Sequence, residues 1–186
     1  MAEVEIKSVD SADVMCLEFT GSYEQTGDRL DELLAWVLRS GHPWAAAPVG
    51  VFYDDPDKVE ADKLRAEVAV RVDERCDGDD LVKRKNLPGA EMACLAYEGP
   101  IGDIGKAYGE LFEWIGANGY RYVEGMGTRE IYLRLPEQEA ESSGFLIEVQ
   151  APVENVSAEQ APAEDAPAEE PAAEDAPAEE PPAEEG

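Results

Sequence analysis

An internal repeat constrains the fold of this chain more than any other feature, because residues 4–72 resemble residues 81–153 at an offset of about 78 positions. Cys16 and Leu17 recur as Cys94 and Leu95, each followed by an aromatic residue and a glycine. Five further matches keep this offset: Gly27 with Gly105, Leu33 with Leu111, Leu34 with Phe112, Trp36 with Trp114, and Gly41 with Gly119. The period exceeds the roughly 20–50 residues of solenoid repeats. We therefore expect two packed modules related by a pseudo-twofold axis.

Each copy reads as strand, strand, helix, strand, strand. The helices are indicated by apolar stripes with helical spacing, which belong against a sheet. Their members are Leu30, Leu33, Leu34, Val37 and Leu38 in the first copy, and Ile104, Tyr108, Leu111, Phe112 and Ile115 in the second. Ser22 and Gln25 have capping-box spacing before the first helix, and Gly41 and Gly119 follow the two helices as stop signals. The predicted class is α+β: an antiparallel sheet with two long helices on one face and a cleft between the copies.

Alternation with a period of two predicts the strands and their faces. Along the strand from Arg129 to Leu135, one face carries Ile131, Leu133 and Leu135, which we expect to pack against the helices. The opposite face carries Glu130, Tyr132 and Arg134. Val51 and Tyr53 are the predicted counterparts of Glu130 and Tyr132 in the first copy. The second copy thus has a carboxylate where the first has a valine, and this asymmetry is where we expect the functional site.

The composition changes abruptly near Gln150. Residues 151–186 contain twelve acidic residues, seven prolines and no Lys or Arg, and the block at 163–172 recurs almost unchanged at 173–182. Such low-complexity sequence cannot bury a core. We therefore predict a domain over residues 1–153 and a disordered, Ala/Pro/Glu-rich acidic tail over 154–186. The tail serves solubility or adaptation to salt, or it docks on a basic protein partner.

The charge balance and the rare residue types exclude several functions. A net charge of −28 argues against direct binding to nucleic acid, since phosphate backbones would be repelled. No apolar stretch is long enough to span a bilayer and the first residues do not resemble a signal peptide, so we expect a cytoplasmic protein with no membrane association. Cys16, Cys76 and Cys94 lack metal-site spacing and His42 is the single histidine, so we expect no metal and no cofactor.

Five motifs in order resemble the GyrI-like family of small-molecule-binding domains, which includes the effector-binding halves of AraC-type and MerR-type regulators and a gyrase inhibitor. The resemblance covers residues 3–153. Its motifs are Thr20-Gly21-Ser22-Tyr23, Val51-Phe52-Tyr53-Asp54-Asp55-Pro56, Tyr97-Glu98-Gly99-Pro100, Trp114 near Gly119-Tyr120, and Glu130-Ile131-Tyr132-Leu133. It implies a duplicated two-layer module of the SHS2 type with a ligand cleft where the copies meet. The chain shows no helix-turn-helix or winged-helix segment, so it resembles the effector domain without its DNA-binding partner.

The resemblance also implies the site residues. In regulators of this family, the glutamate that Glu130 resembles faces cationic aromatic ligands, and aromatic side chains surround it. A carboxylate in an aromatic-lined cleft is poorly hydrated and gains from pairing with a cation. The residues that we expect to line the cleft are Glu130, Tyr132, Tyr53, Tyr97, Phe19 and Trp114. Heme, which the related SOUL fold suggests, is disfavoured because His42 has no second ligand candidate nearby.

Three functions follow as hypotheses. The first is a stand-alone protein that senses or sequesters amphipathic, cationic or aromatic organic molecules. The second is a hydrolase that opens the strained cyclopropane rings of genotoxic alkylators, with Glu130 positioning or deprotonating water. The third is a protein-interaction module like the gyrase inhibitor, in which the acidic surface and tail engage a basic patch.

Overall fold

The computed structural model describes residues 3–42, 46–72, 76–135 and 144–156, so most of the predicted tail lies outside the described residues. The chain forms nine strands and two α-helices in these ranges, and a short 3-10 helix precedes each α-helix, at Tyr23–Gln25 and Ile101–Asp103. The strands are β1 (Val4–Val9), β2 (Ala12–Thr20), β3 (Val49–Phe52), β4 (Arg65–Val70), β5 (Lys83–Leu87), β6 (Ala90–Gly99), β7 (Tyr120–Tyr122), β8 (Thr128–Arg134) and β9 (Phe145–Asn155). The helices are α1 (Thr26–Arg39) and α2 (Ile104–Ala117).

All strand pairs are antiparallel, in the order β1-β6-β9-β8-β3-β4-β2-β5, with β7 paired to β9. The predicted α+β class with an antiparallel sheet is therefore confirmed. β3 and β8 lie at the centre of this order. Outward from them the order is β4, β2, β5 on one side and β9, β6, β1 on the other, which supports the predicted pseudo-twofold axis. That axis stays a prediction.

The sheet curls so that its two ends approach each other. Two residues link β1 to β2, and two residues link β5 to β6. Each of these short links joins strands that lie near opposite ends of the strand order, so those ends must be close in space. A Cβ atom added at Gly89, in the second link, would lie 2.6 Å from the carbonyl oxygen of Val9. We call the surface of the sheet that packs against α1 and α2 the helix face. We call the opposite surface the inner face. Five buried apolar residues pack together on the inner face: Val14, Cys16, Val51, Ala69 and Leu87.

The helix boundaries follow from local sequence signals. Ser22 Oγ accepts a hydrogen bond from the backbone N–H of Glu24 at 3.3 Å, so it caps the 3-10 helix before α1. Gln25 donates from its own backbone N–H to the Ser22 carbonyl, and the expected reciprocal side-chain cap is not made. Gly41 and Gly119 follow the helices with φ of 77° and 75°, the left-handed region that glycine tolerates best. Both predicted stop signals are confirmed.

The core on the helix face is built from both helices and from the strands beneath them. The fully buried side chains include Leu33 and Val37 on α1 and Leu111 on α2, and this core also contains Tyr132. The prediction that Ile131, Leu133 and Leu135 face the helices is wrong, because Leu133 is 53% exposed and Tyr132 takes the buried position. A register shift between Tyr132 and Arg134 bends β8 at this point. Neither of the described helices is long and apolar enough to cross a membrane.

Candidate functional site

The most unusual residue on the helix face is a carboxylate at the centre of the sheet. Glu130 lies in β8, where it is the Cα partner of Gly50 in β3, and it is only 5% exposed. Alternation along β8 places Thr128, Glu130 and Tyr132 on this face, and all three are buried. Glutamate is almost never fully buried unless it is paired. Its partners therefore decide what this site can do.

Two phenols hold the Glu130 carboxylate. Tyr132 Oη donates to Oε2 at 2.9 Å from the same strand, and Tyr108 Oη donates to Oε1 at 3.1 Å from α2. Within the described ranges, no Lys or Arg forms an ion pair with Glu130, and no group of three or more His, Cys, Asp or Glu side chains could hold a metal ion. The carboxylate is thus solvated by neutral donors only, and its negative charge is not balanced by a cation in this part of the chain.

Burial changes the titration of all three groups. Loss of hydration raises the pKa of the Glu130 carboxyl above its ordinary value, although the hydrogen bonds from Tyr132 and Tyr108 partly oppose this rise. Burial and the adjacent carboxylate also raise the pKa of Tyr132 and that of Tyr108 well above the ordinary value. The phenols therefore remain protonated donors at neutral pH. The Glu130 charge, by contrast, is maintained at a cost, which a bound cation would offset.

Further aromatic rings lie on the same face, next to the residues that hold the carboxylate. Phe52 lies on β3 opposite Thr128, and its ring meets that of Tyr23 edge to face, with centroids 4.9 Å apart. On the other side, the rings of Tyr132 and Phe145 are also edge to face, with centroids 6.4 Å apart. A cation placed over such ring faces is attracted by their electron density as well as by the carboxylate. The arrangement therefore suits an organic cation better than a small, strongly hydrated ion.

Gly50 makes room for this arrangement. A Cβ atom at Gly50 would lie 3.0 Å from Tyr132 Oη and 3.0 Å from the Phe52 ring. The strand registers show that Gly50 and Phe52 are the helix-face residues of β3, whereas Val51 is buried on the inner face. The prediction that Val51 is the counterpart of Glu130 in the first copy is therefore wrong, because Val51 lies on the inner face and Glu130 on the helix face.

Replacing Gly50 by alanine is expected to displace the Tyr132 phenol and weaken its hydrogen bond to Glu130. Overpacking of this kind costs about 1–3 kcal/mol. We expect the free energy of unfolding, measured by urea denaturation, to fall by about that amount. The matched control is Gly109→Ala on α2, where an added Cβ has no neighbour within 4 Å and alanine favours the helix. Equal stabilities of the two variants would show that Gly50 is not a packing constraint.

Three of the sequence-predicted cleft residues share the helix face with Glu130. Tyr97 and Tyr132 both pair with Ile147 from opposite sides, so they lie two strands apart in one row. Tyr97 Oη donates to the Pro100 carbonyl at 2.6 Å, which fixes the ring at the entrance to α2. Phe19 lies in the corresponding row of the other half, two strands from Phe52 across Ala66, and it packs at the edge of the core.

The other two predicted residues are placed differently. Trp114 packs at the edge of the core on α2 and stacks on Tyr120, with ring centroids 5.8 Å apart. Tyr53 lies with the inner-face cluster, where its hydroxyl donates to Glu67 Oε1 at 2.7 Å and burial raises its pKa to about 12. The structure thus separates Tyr53 from Glu130 by the thickness of the sheet. It brings Glu130 and Tyr132 into direct contact, and it places Tyr97 and Phe19 on the same face.

Sequence reasoning missed three residues of the site. Tyr108 was assigned to the apolar stripe of the second helix, but its hydroxyl, at a position facing the sheet, was a signal that a polar partner lay beneath it. Tyr23 and Phe52 were noted only within motifs. Neither their contact with each other nor their closeness to Glu130 could be predicted without the strand register.

Comparison with known proteins identifies the family. The GyrI-like small molecule binding domain matches residues 2–154. A relative called DNA gyrase inhibitor 2, from Dickeya dadantii, is 33% identical over 117 residues, which covers 61% of this chain and 74% of the relative.

Solved structures agree in fold. The C-terminal domain of EcmrR superposes with a TM-score of 0.73 at 18% identity, covering 84% of this chain and 99% of that domain. An EcmrR chain in a complex with DNA gives a TM-score of 0.72 at 19% identity, covering 83% of this chain and 58% of the other. SAV2435 bound to tetraphenylphosphonium gives a TM-score of 0.54 at 10% identity, covering 85% of this chain and 98% of the other. Because the family model matches residues 2–154, the chain belongs to the GyrI-like family of small-molecule-binding domains.

Proposed function

We propose that this protein binds amphipathic organic cations in the cytoplasm, with the Glu130 carboxylate as the counter-ion and the surrounding rings as the apolar walls. The single observation that carries the proposal is a carboxylate 5% exposed at the centre of the sheet, held by two phenols and unpaired with any cation of the described residues. Sensing and sequestration both begin with this binding step. The ligand class is a lipophilic cation with aromatic groups.

The energetics favour a ligand whose charge is delocalised and weakly hydrated. Bringing a cation beside Glu130 requires the cation to lose water, and this cost is small for a bulky aryl cation and large for an ammonium ion. The carboxylate is already largely dehydrated in the free protein, so its own cost has been met during folding. The rings of Tyr23, Phe52 and Phe145 add cation–π attraction and apolar contact. SAV2435, whose fold is similar, was solved with tetraphenylphosphonium, a cation of this type.

A hydrolytic role is the second candidate, and the raised pKa of Glu130 favours it. A carboxylate whose pKa is closer to neutrality is a better general base than an exposed one. A strained cyclopropane between the rings could then be opened by a water molecule activated by Glu130. Product analysis after incubation with a cyclopropane-bearing electrophile distinguishes this role, because a pure binder returns the compound unchanged.

A protein-interaction role stays a prediction, motivated by the name of the gyrase-inhibitor relative and by the acidic composition. It would depend on the surface and on residues 154–186 instead of Glu130. Because β9 extends to Asn155 and pairs with β7 there, the predicted boundary at residue 153 falls inside this strand. A chain truncated after residue 156 should therefore bind small cations normally if the acidic tail is not part of the domain. Loss of cation binding on truncation would show that the tail is part of the domain.

Isothermal titration calorimetry with tetraphenylphosphonium tests the proposed function. We expect saturable binding with one cation per chain, and much weaker binding of triphenylphosphine oxide, a neutral molecule with similar aryl groups. The comparison emphasises the contribution of charge, since the two compounds share three of the four phenyl groups of the cation. Equal affinities for the charged and the neutral compound would contradict a role for Glu130 as counter-ion. Absence of binding to either would favour the protein-interaction role.

A further inference from the structure

A second buried charge lies on the inner face, behind the Glu130 site. Arg129, the residue before Glu130, is 4% exposed, and its side chain reaches the link between β5 and β6, where Nη2 donates to the Pro88 carbonyl at 2.6 Å. Its Nε makes no hydrogen bond with the described residues. No carboxylate in the described ranges forms an ion pair with Arg129. A buried guanidinium thus has a neutral carbonyl as its hydrogen-bond partner among the described residues.

The other charges of the inner face are paired. Lys85 Nζ lies 2.6 Å from Glu67 Oε2, and the other oxygen of Glu67 accepts from Tyr53. Lys7 Nζ lies 2.6 Å from Glu148 Oε2 in the other half of the sheet. Each lysine also has a second carboxylate nearby, because Lys85 Nζ lies 3.5 Å from Glu18 Oε1 and Lys7 Nζ lies 3.4 Å from Glu5 Oε2. Within the described residues, Arg129 is the buried cation of this face that forms no ion pair.

Gln150 supplies a second polar atom at the same place. It is the Cα partner of Arg129 across β8 and β9, so both side chains project from the inner face, and Gln150 is 5% exposed. Its Nε2 donates to Glu148 Oε1 at 2.7 Å. Because a carboxylate oxygen only accepts, this contact fixes the amide orientation and leaves Gln150 Oε1 as an acceptor, which has no hydrogen bond with the described residues.

The hydrogen-bonding properties of Arg129 Nε and Gln150 Oε1 define the chemistry of a ligand that could bind both. A buried guanidinium stays charged, and burying it without a paired anion is unfavourable. Arg129 Nε is a donor and requires an anionic oxygen. Gln150 Oε1 is an acceptor and requires a hydroxyl or N–H group. A ligand that satisfies both has an anionic oxygen next to a hydrogen-bond donor.

We propose that the inner face contains a second ligand site, in which Arg129 and Gln150 bind a small oxyanion carrying its own hydroxyl group. Inorganic phosphate, with its protonated oxygen, and a 2-hydroxycarboxylate such as glycolate share this chemistry. The anionic oxygen accepts from Arg129 Nε, and the hydroxyl donates to Gln150 Oε1. The site lies on the opposite face of the sheet from Glu130 and does not depend on the cation-binding proposal. A water molecule could bridge the same two atoms, but it would leave Arg129 without an ion pair.

Calorimetric titration with phosphate, glycolate and sulfate tests the site, using the full chain at neutral pH and constant ionic strength set with sodium chloride. Sulfate has the charge but carries no hydroxyl at this pH. We expect phosphate or glycolate to bind at least tenfold more tightly than sulfate, and the one that binds identifies the source of the oxyanion. Binding that is absent for all three anions, or equal for sulfate and phosphate, would overturn the proposal and leave a bridging water as the account of these atoms.

Two variants locate the site. Gln150→Leu should remove the preference over sulfate, since it deletes the acceptor while keeping a similar volume. Arg129→Met should lower affinity for phosphate and glycolate at least tenfold, whereas Arg134→Met, an exposed arginine on the same strand, should leave it within twofold. If Arg129→Met does not fold, the Gln150→Leu result and the comparison of anions still test whether the second site exists. An unchanged preference of Gln150→Leu for phosphate or glycolate over sulfate would contradict the assignment. As a control, tetraphenylphosphonium binding by this variant should match that of the parent, because Glu130 lies on the other face.

Discussion

Replacing Glu130 by glutamine is expected to weaken tetraphenylphosphonium binding roughly 30-fold or more, since removing one partner of a buried charge pair costs about 2–5 kcal/mol. Glutamine keeps the size of the side chain and can still accept from one phenol, so the shape of the site changes little. The lost quantity is the attraction between the carboxylate and the cation in surroundings of low polarity. Affinity for the neutral phosphine oxide should change little. The measurement is calorimetric titration of both compounds into parent and variant.

The control must remove one negative charge without touching the site. Glu113→Gln, on an exposed position of α2, lowers the net charge by the same amount and should change the affinity less than twofold. Without ligand, Glu130→Gln should unfold at the same or a higher temperature than the parent, because it removes a charge whose burial is unfavourable. A function that costs stability in this way is typical of binding sites. A clear fall in melting temperature would show that Glu130 stabilises the fold itself.

Cation affinity is expected to fall steeply at acidic pH. Tetraphenylphosphonium has no titratable group, so the dependence reports the protein. The pKa of Glu130 lies above its ordinary value of 4.5, and below the raised pKa the free site is protonated and neutral. Each further pH unit then lowers the affinity about tenfold, because one proton must leave before the cation binds. We expect constant affinity at high pH and a slope approaching one on a logarithmic plot below that pKa.

The effect on stability has the opposite sign. For a carboxyl whose pKa is raised by folding, the stabilising contribution is present below the pKa of the unfolded chain and is lost as pH rises through the folded pKa. Near neutral pH, Glu130 therefore binds cations best and supports the unliganded fold least. Affinity measured from pH 8 downward, as far as the chain stays folded, should fall at acidic pH in the parent and stay flat in Glu130→Gln. The same slope in both proteins would assign the pH dependence to another group.

The sequence predicted the helices well because their signals are local. Apolar stripes and terminal glycines located α1 and α2, which cover residues 26–39 and 104–117 in the structure. The internal repeat predicted an antiparallel sheet with helices on one face. These features depend on hydrophobic periodicity and on the backbone freedom of glycine, both of which can be read over a few residues.

The faces of β8 could not be predicted in the same way. The apolar residues Ile131 and Leu133 suggested the helix face, but a buried site reverses the usual pattern, since Glu130 and Tyr132 occupy the interior. The register shift after Tyr132 then turns Leu133 outward. The same error placed Tyr53 on the face of Glu130, because its predicted correspondence with Tyr132 depended on the assumed length of a loop. Long-range register is a property of strand pairing that no local pattern specifies.

The central claim is that Glu130 on the helix face is the counter-ion for an organic cation, and a crystal structure of the chain with tetraphenylphosphonium tests it most directly. We predict the phosphorus atom on the helix face, within roughly 6 Å of the Glu130 carboxylate and of at least one ring centroid, the range in which cation–π attraction acts. We also expect Tyr108 or Tyr132 to shift while keeping a hydrogen bond to the carboxylate. A cation bound elsewhere, with Glu130 still enclosed by both phenols, would contradict the claim.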